Sequence, residues 1–591
     1  MIHQIGLCVL FLLEIYKKIL RIEKIQNEKG KGILMNKLDQ LNTVIKDNSR
    51  FYKINESDLI WIYDAHVHNV FSLSRNLYNA LFVEKNQSLS DITEKLSIKE
   101  NSYFLNIINN ILQNETDNTN FSVEDDGCSV MINTSNRCNL NCSYCYRNKK
   151  DANINSIENI KKSIEWVMKE YKPKASKFDF TYSMSSESSI DIDILNQVLK
   201  EYENYEPQDF SENDLKQEEV QNFFKCLHRD FDNIKPDLFT EKSDENKSGL
   251  VLILNKLIRE KNLYEMLGMS IGMFREDMRA EIQNRHNFSA WKANRVNRWI
   301  LEVKYGEYID FSKKAIPQYP SFSVFTNGTC ATSDFIHFVK AAGINPLYIS
   351  IDGPQKVHDF NRKFNSGKCS YGEVLKNIRI FQNEKISLCA SAVLTSHYPK
   401  PLEIALHLQK LGFQKGTMTS VRPGTSVSFT LDNVDNLLAG YEELFLRFKD
   451  DALKNDFSLL DFLEDDYCVN PIKLLISRTK QVCRCNLDNQ LVINAKGDVY
   501  NCLYFEASNM NKIGNINSQV KRIEGDKSVL SRNACNKCWA RYLCGGTCFY
   551  ASQVMMGNIL EIEPVECKIR KHLARLSLEF IVFCRENNIN L

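Results

Sequence analysis

Asn136-Arg137-Cys138-Asn139-Leu140-Asn141-Cys142-Ser143-Tyr144-Cys145-Tyr146 sets three cysteines within eight positions. The C-x₃-C-x₂-C spacing puts three thiolates on one short loop. A four-iron cluster normally takes four cysteines, so three close ligands leave one iron open to a substrate or cofactor. Zinc is the chemical alternative, and it asks for a fourth Cys or His to close a tetrahedron. His66 and His68 lie far upstream, and no His follows within the next fifty residues. A third reading is plain packing of three small apolar side chains.

Outward from the loop, strand and helix signals alternate. Cys128–Thr134 reads as a strand that ends at the loop. Further strand patterns are Lys177–Met184, Ser321–Phe325, Pro346–Ile351, Ser387–Leu394 and Thr417–Val421. Amphipathic stretches lie between them over Ile157–Tyr171, Asp334–Ala342, Gly372–Asn383 and Lys400–Leu411. Such alternation predicts an α/β fold with a parallel barrel-like sheet and functional groups at the C-terminal ends of its strands.

The cysteine spacing, with an aromatic before the last cysteine, resembles the radical S-adenosylmethionine (radical SAM) signature. The resemblance implies a partial (β/α)6 TIM-like barrel. It also implies that S-adenosylmethionine chelates the open iron of a [4Fe–4S] cluster at Cys138, Cys142 and Cys145, and is cleaved to a 5′-deoxyadenosyl radical. The electron then comes from a reductant such as flavodoxin or ferredoxin. Other strand ends resemble the same family: Thr326-Asn327-Gly328, and Ser350-Ile351-Asp352-Gly353-Pro354 followed by His358-Asp359 and Arg362. By that resemblance Ser350 lies near the ribose and Arg362 near the methionine carboxylate, a sensible partner for a guanidinium fork. As isolated residues, Asp352 is a turn former and Arg362 a surface charge. The second strand departs from the pattern: Ser185-Ser186-Glu187-Ser188 stands where the family shows Gly-Gly-Glu-Pro. Glu187 keeps the carboxylate that would receive the S-adenosylmethionine ammonium, while both glycines are gone.

The C-terminal quarter holds a second constellation. Cys485 is followed by eleven residues, Gly497, four residues and Cys502; then come Cys535-x₂-Cys538-x₅-Cys544-x₃-Cys548 and Cys567, with Cys483 just before Cys485. Val492–Asn494 and Asp498–Tyr500, joined through Gly497, predict a β-hairpin. The spacing resembles the SPASM auxiliary-cluster domain of radical SAM enzymes that modify peptides and proteins. It implies two further [4Fe–4S] clusters, one on Cys483, Cys485, Cys502 and Cys548, the other on Cys535, Cys538, Cys544 and Cys567. Four thiolates suit zinc as well. The remaining cysteines default to packing.

At 591 residues the chain is too long for one core. Its net charge of +1 and lack of a polybasic block give no footing for nucleic acid. Nineteen cysteines without a credible signal peptide point to a reducing cytoplasm and metal ligation. The apolar run Ile5–Leu13 is interrupted by Glu14, Lys17 and Lys18, too short for stable membrane insertion. Lys31-Gly32 just before Met35 reads as a ribosome-binding site, so residues 1–34 are expected to be a non-native N-terminal extension; a membrane-surface helix is the rival. Residues 47–115 combine short strands with helical periodicity over Ser90–Leu96 and Tyr103–Leu112. They resemble the winged-helix-like peptide-recognition domain of radical SAM peptide maturases, which captures a precursor's leader as an added edge strand. The core is expected over 125–425 with a helical insertion at 205–315, a helical linker over 426–480 and the auxiliary-cluster domain over 481–591.

The leading expectation is a radical SAM peptide maturase that installs a thioether or carbon–carbon crosslink in a ribosomally made precursor peptide. One alternative is an anaerobic sulfatase-type maturase oxidising a Cys or Ser of a protein client. An alternative of another class is a non-catalytic iron–sulfur scaffold or electron carrier. No residue stands out as a catalytic acid or base.

Overall fold

The computed structural model describes residues 50–56, 59–79, 82, 127–133, 135–147, 154–171, 177–182, 187, 189, 192–203, 321–342, 344, 346–463, 467–483, 490–518, 520, 528–589 and 591. The expected extension over 1–34, the helices over 90–96 and 103–112, the insertion over 205–315 and Cys485 lie outside them. The chain divides into two compact units, one of Met1–Ser122 with Asn533–Tyr542, the other of Val123–Arg532 with Leu543–Leu591.

In the first unit, β1 (Phe51–Glu56), β2 (Ile60–Asp64) and β3 (Asn69–Leu73) form an antiparallel meander. Every residue of β2 is buried, as its near-continuous apolar run requires of a central strand. Arg50 forks onto Asp64 in a buried pair, Nε to Oδ1 at 2.9 Å and Nη2 to Oδ2 at 2.8 Å. α1 (Arg75–Tyr78) follows. Trp539 stacks on Tyr52 of β1, with ring centroids 3.8 Å apart. Strands at 59–64 and 69–73 agree with the sequence pattern; β1, whose Lys53, Asn55 and Glu56 dilute the alternation, was not anticipated.

The second unit is built on a sheet of nine strands. Six of them run parallel in chain order: β4 (Gly127–Ile132), β6 (Lys177–Tyr182), β7 (Ser321–Thr326), β8 (Leu347–Ser350), β10 (Leu388–Leu394) and β11 (Lys415–Ser420). Helices fill the connections, namely α2 (Ile157–Tyr171), α3 (Ile192–Glu203), α4 (Ser333–Ala341), α5 (Gln355–Asn361), α6 (Tyr371–Asn383) and α7 (Pro401–Lys410). Ile160, Ile164 and Val167 of α2, and Val374, Ile378 and Phe381 of α6, are buried at i, i+4, i+7 spacing. Burying each such side chain contributes about 1.5–3 kcal/mol. Parallel strands send all six C-terminal ends to one edge of the sheet, and that placement gathers the residues discussed below.

Two further pairings were not legible in the sequence. β5 (Leu140–Cys142), within the cysteine loop, pairs antiparallel with β9 (Arg362–Phe364), which sets Cys142 opposite Arg362. After α8 (Val434–Leu453), α9 (Ser458–Phe462) and α10 (Asn470–Ser477), the hairpin of β12 (Gln490–Ile493) and β13 (Asp498–Tyr500) joins the main sheet. β12 lies parallel to β4, with Val492 opposite Met131. Gly497 sits in the turn at φ +74°. α11 (Leu503–Ser508), β14 (Gly514–Asn515), α12 (Asn533–Asn536), α13 (Arg541–Cys544), α14 (Phe549–Met556) and α15 (Pro564–Glu586) follow. No helix among the described residues is long and apolar enough to cross a membrane.

Candidate active site

The cysteine loop leaves the end of β4 and is held from three other strand ends. After β7, the Asn327 Nδ2 amide points at the Cys138 sulfur from 3.8 Å and donates to Asn139 Oδ1 at 2.8 Å. Asn139 in turn donates to Thr329 Oγ1 at 2.8 Å. Gly328 makes this turn possible at φ +73°, with Ile349 Cγ2 2.9 Å from where a Cβ would stand. After β8, Asp352 is fully buried. Its carboxylate accepts from the Tyr144 hydroxyl at 2.7 Å, from Arg362 Nε at 3.0 Å and from the Val393 amide at 3.2 Å. The Arg362 guanidinium lies 5.3 Å from the Tyr144 ring centre. Arg362 is therefore not a surface charge and Asp352 is more than a turn former: together they clamp the aromatic of the cysteine motif.

Glu187, after β6, is 2 % exposed. Its carboxylate accepts from the Asn327 amide at 2.6 Å, from Ser189 Oγ at 2.7 Å and N at 3.2 Å, and from the Thr326 hydroxyl. Its own amide donates to the Arg137 carbonyl at 2.9 Å. Burial raises the Glu187 carboxyl above the ordinary carboxylate range despite these bonds. All four donors are neutral. Ser185, Ser186 and Ser188 fall outside the described residues. Ser350 is the last residue of β8, half-buried and in register with Ser391 of β10.

Burial pushes the Cys142 thiol up to about 11, with Arg362 opposing the rise and Cys145 and Cys138 adding to it. Cys138 and Cys145 thus both lie within electrostatic reach of Cys142. All three are free of disulfides. Among the described residues no three His, Cys, Asp or Glu side chains converge on a point as a single metal ion requires. A four-iron cluster is held at separate corners and asks for no such convergence. The donor set fits it: three thiols on one loop, a cation opposite the middle one and an amide N–H aimed at the first. Iron binding would deprotonate these thiols outright.

The loop continues into the C-terminal region. Arg147 pairs with Glu506 of α11, whose other oxygen accepts from Asn133 Nδ2 at 3.2 Å. The Tyr146 ring packs 4.6 Å from that of Tyr504. Cys502 is buried in a cluster with Met131, Val492 and Phe549, and Cys483 and Tyr504 pack against it. Cys548 is the N-cap of α14, and its amide donates to Glu566 Oε2 at 2.8 Å. Burial pushes its thiol up to about 11, countered by Arg422 and reinforced by Glu566 and Cys483. Cys483, Cys502 and Cys548 therefore share one neighbourhood. Cys544 ends α13, where its carbonyl accepts from Arg570 at 2.9 Å, and Cys567 stands in the first turn of α15. Cys535 and Cys538 belong to the first unit, where the Cys538 amide donates to the Cys535 carbonyl at 2.9 Å.

Tyr144, Asn327 and Tyr146 carry contacts that no sequence expectation named. Tyr144 had a signal, the aromatic before the last cysteine; Tyr146–Tyr504 and Arg147–Glu506 had none, because their partners lie more than 350 positions away.

No protein-family profile matches the chain. Over 277 residues it is 24 % identical to the radical SAM cyclopropyl synthase TigE of Paramaledivibacter caminithermalis, a match covering 45 % of this chain and 54 % of that enzyme. Over 269 residues it is 25 % identical to the cysteine-type anaerobic sulfatase-maturating enzyme of Clostridium novyi, covering 41 % and 68 %. The chain thus spans about half the length of the first of these relatives and about two thirds of the second. Among solved structures, anSMEcpe with bound AdoMet aligns over 78 % of this chain and 96 % of its own, at 16 % identity and TM-score 0.47. Streptococcus suis SuiB bound to its precursor peptide SuiA aligns over 88 % and 98 %, at 10 % identity and TM-score 0.40. The chain is a homologue of radical SAM enzymes that act as synthases and maturases.

Proposed function

We propose that this protein is a radical SAM maturase that crosslinks a ribosomally made precursor peptide. The observation that carries the reading is the three-cysteine loop, pinned at the strand ends by Tyr144, Asp352 and Arg362 beside the Cys483/Cys502/Cys548 neighbourhood. When bound, the cluster and S-adenosylmethionine supply a carbon radical able to abstract hydrogen from an unactivated C–H bond. The protein's own part is placement. Arg362 uses its Nε on Asp352, leaving the terminal nitrogens of the fork for a carboxylate. Glu187, a buried carboxylate with only neutral donors bonded to it, would gain from an ammonium. Ser350 stands at the strand end for a ribose. Asn327 steadies Cys138, and an N–H near a cluster sulfur is a recognised means of tuning it.

Further parts of the reading rest on the resemblances. Residues 47–115 would capture the leader through the meander of β1–β3, completed as a winged-helix-like domain. Residues 481–591 would carry two auxiliary clusters, on Cys483, Cys485, Cys502 and Cys548 and on Cys535, Cys538, Cys544 and Cys567. A flavodoxin or ferredoxin would supply electrons in the cytoplasm. Similarity to the Clostridium novyi enzyme supports a second reading, a maturase oxidising a Cys or Ser of a sulfatase-like client.

Anaerobic incubation with S-adenosylmethionine and dithionite should yield 5′-deoxyadenosine, and Cys138→Ala, Cys142→Ala or Cys145→Ala should abolish it. Wild-type levels from reconstituted variants would refute the assignment. Mass spectrometry of a gene-adjacent small peptide after co-expression separates the two readings. A crosslinked peptide supports the first; an unchanged peptide beside a formylglycine-bearing sulfatase supports the second.

A further inference from the structure

A cavity of about 500 Å³ opens at the C-terminal end of β11, between that strand end, the loop that follows it and the helices α14 and α15. It is within the size range of ligand sites and far larger than a Cys or Ser side chain needs. Its walls are mainly apolar, from Val421, Phe429, Leu431, Met555, Met556 and Ile569. Leu431 and Met555 at the rim are 57 % and 52 % exposed, unusual for such side chains clustered together. Paired methionines suit a mouth that must adapt to differently shaped apolar groups.

The polar part of the wall is charge-balanced. Arg570 holds Glu566 Oε1 through Nη2 at 2.6 Å and Nε at 3.0 Å, and Arg422 Nη1 reaches the same oxygen at 3.3 Å. Glu563 spends its carboxylate on the amides of Val565 and Glu566 at the start of α15. Two arginines against two glutamates leave no net charge for an ionic ligand.

The cavity adjoins the candidate site. The Arg422 guanidinium lies 5.0 Å from the Tyr504 ring centre, Tyr504 packs on Tyr146, and Tyr146 follows Cys145 directly. Glu566, in the same wall, accepts from the Cys548 amide. We infer that this cavity binds a bulky, uncharged apolar residue of the peptide substrate. The inference rests on the peptide-maturase reading and names the residue class that reading leaves open.

Photo-crosslinking tests it with the full-length, anaerobically purified protein and N-acetyl-photoleucine amide, a diazirine analogue of leucine. Mass spectrometry should find the label within residues 419–431 and 554–570. Leu431→Asp and Met555→Asp, both at exposed positions, should cut labelling about tenfold, the loss expected from removing one apolar contact surface. Cluster absorbance should stay unchanged in both. Three results would each overturn the inference: label concentrated elsewhere, labelling indifferent to both variants, or displacement of the probe by S-adenosylmethionine. Equal labelling by a cationic diazirine amide would do the same. Because labelling needs no turnover, a protein that labels as expected but forms no 5′-deoxyadenosine loses the maturase reading and keeps the apolar site. One that forms it without labelling does the reverse.

Discussion

Asp352 shows how a single carboxylate ties the three-cysteine loop to its scaffold. It is fully buried, and three donors converge on it, one of them the Arg362 guanidinium. Asp352→Asn would leave that guanidinium buried without its counter-charge, a change that costs about 3–5 kcal/mol. Tyr144→Phe removes one bond to a charged acceptor and should cost about 1.5–3 kcal/mol. The expected order is a larger drop in melting temperature and in iron retention for Asp352→Asn than for Tyr144→Phe; equal effects would argue against the clamp. His358, beside this pair, bonds Ser370 Oγ at 2.9 Å and is held down to about 4 mainly by burial. An unfolded chain takes up the His proton near pH 6.5, so between there and about 4 the unfolded state binds more protons than the folded one. Stability from the neutral, buried ring is complete above pH 6.5 and is lost as the pH falls, by at most about 3 kcal/mol. Melting curves at pH 7 and pH 5 should show a smaller pH-dependent drop for His358→Asn than for the wild type.

Elements carry the next level of order. The turn after β7 is one example: Thr326 and Asn327 bond Glu187, Asn139 and Cys138 while Gly328 turns the chain through its left-handed backbone. Gly328→Ala would add about 1–2 kcal/mol of backbone strain and drive a methyl into Ile349. It should therefore lower the melting temperature and weaken S-adenosylmethionine binding in equilibrium dialysis, whereas Gly372→Ala, with no left-handed backbone and an added methyl that meets nothing within 4 Å, should leave binding unchanged. The short β5–β9 ladder acts in the same way, setting Cys142 opposite Arg362 by backbone pairing rather than by side-chain affinity.

At the scale of the whole molecule, the C-terminal hairpin is part of the main sheet. Pairing of β12 with β4 brings β13, its antiparallel partner, and the Cys502 that follows β13 alongside the parallel array. Arg147–Glu506 and Tyr146–Tyr504 join the two cysteine regions within the second unit. If the auxiliary ligands bind clusters as proposed, the reconstituted protein should hold about twelve irons per chain, four for each cluster. Cys138→Ala should remove about four and leave the auxiliary signals in Mössbauer spectra. Cys548→Ala should spare the first cluster and remove one auxiliary set; a loss of all iron in either variant would contradict independent sites.

The sequence by itself determined the cysteine spacing, the strand and helix alternation and the hairpin at Gly497. These are local properties, set by periodicity and by residues a few positions apart. Close agreement over α2, β6, β7, β10 and α7 reflects that locality. Only the tertiary structure decided the roles of Asp352, Tyr144, Asn327 and Arg422. Each depends on a partner brought close by strand order, as with Tyr144 and Asp352, which stand 208 positions apart and share one hydrogen bond. Spacing sets three thiols on one loop; the order of parallel strand ends decides what surrounds them.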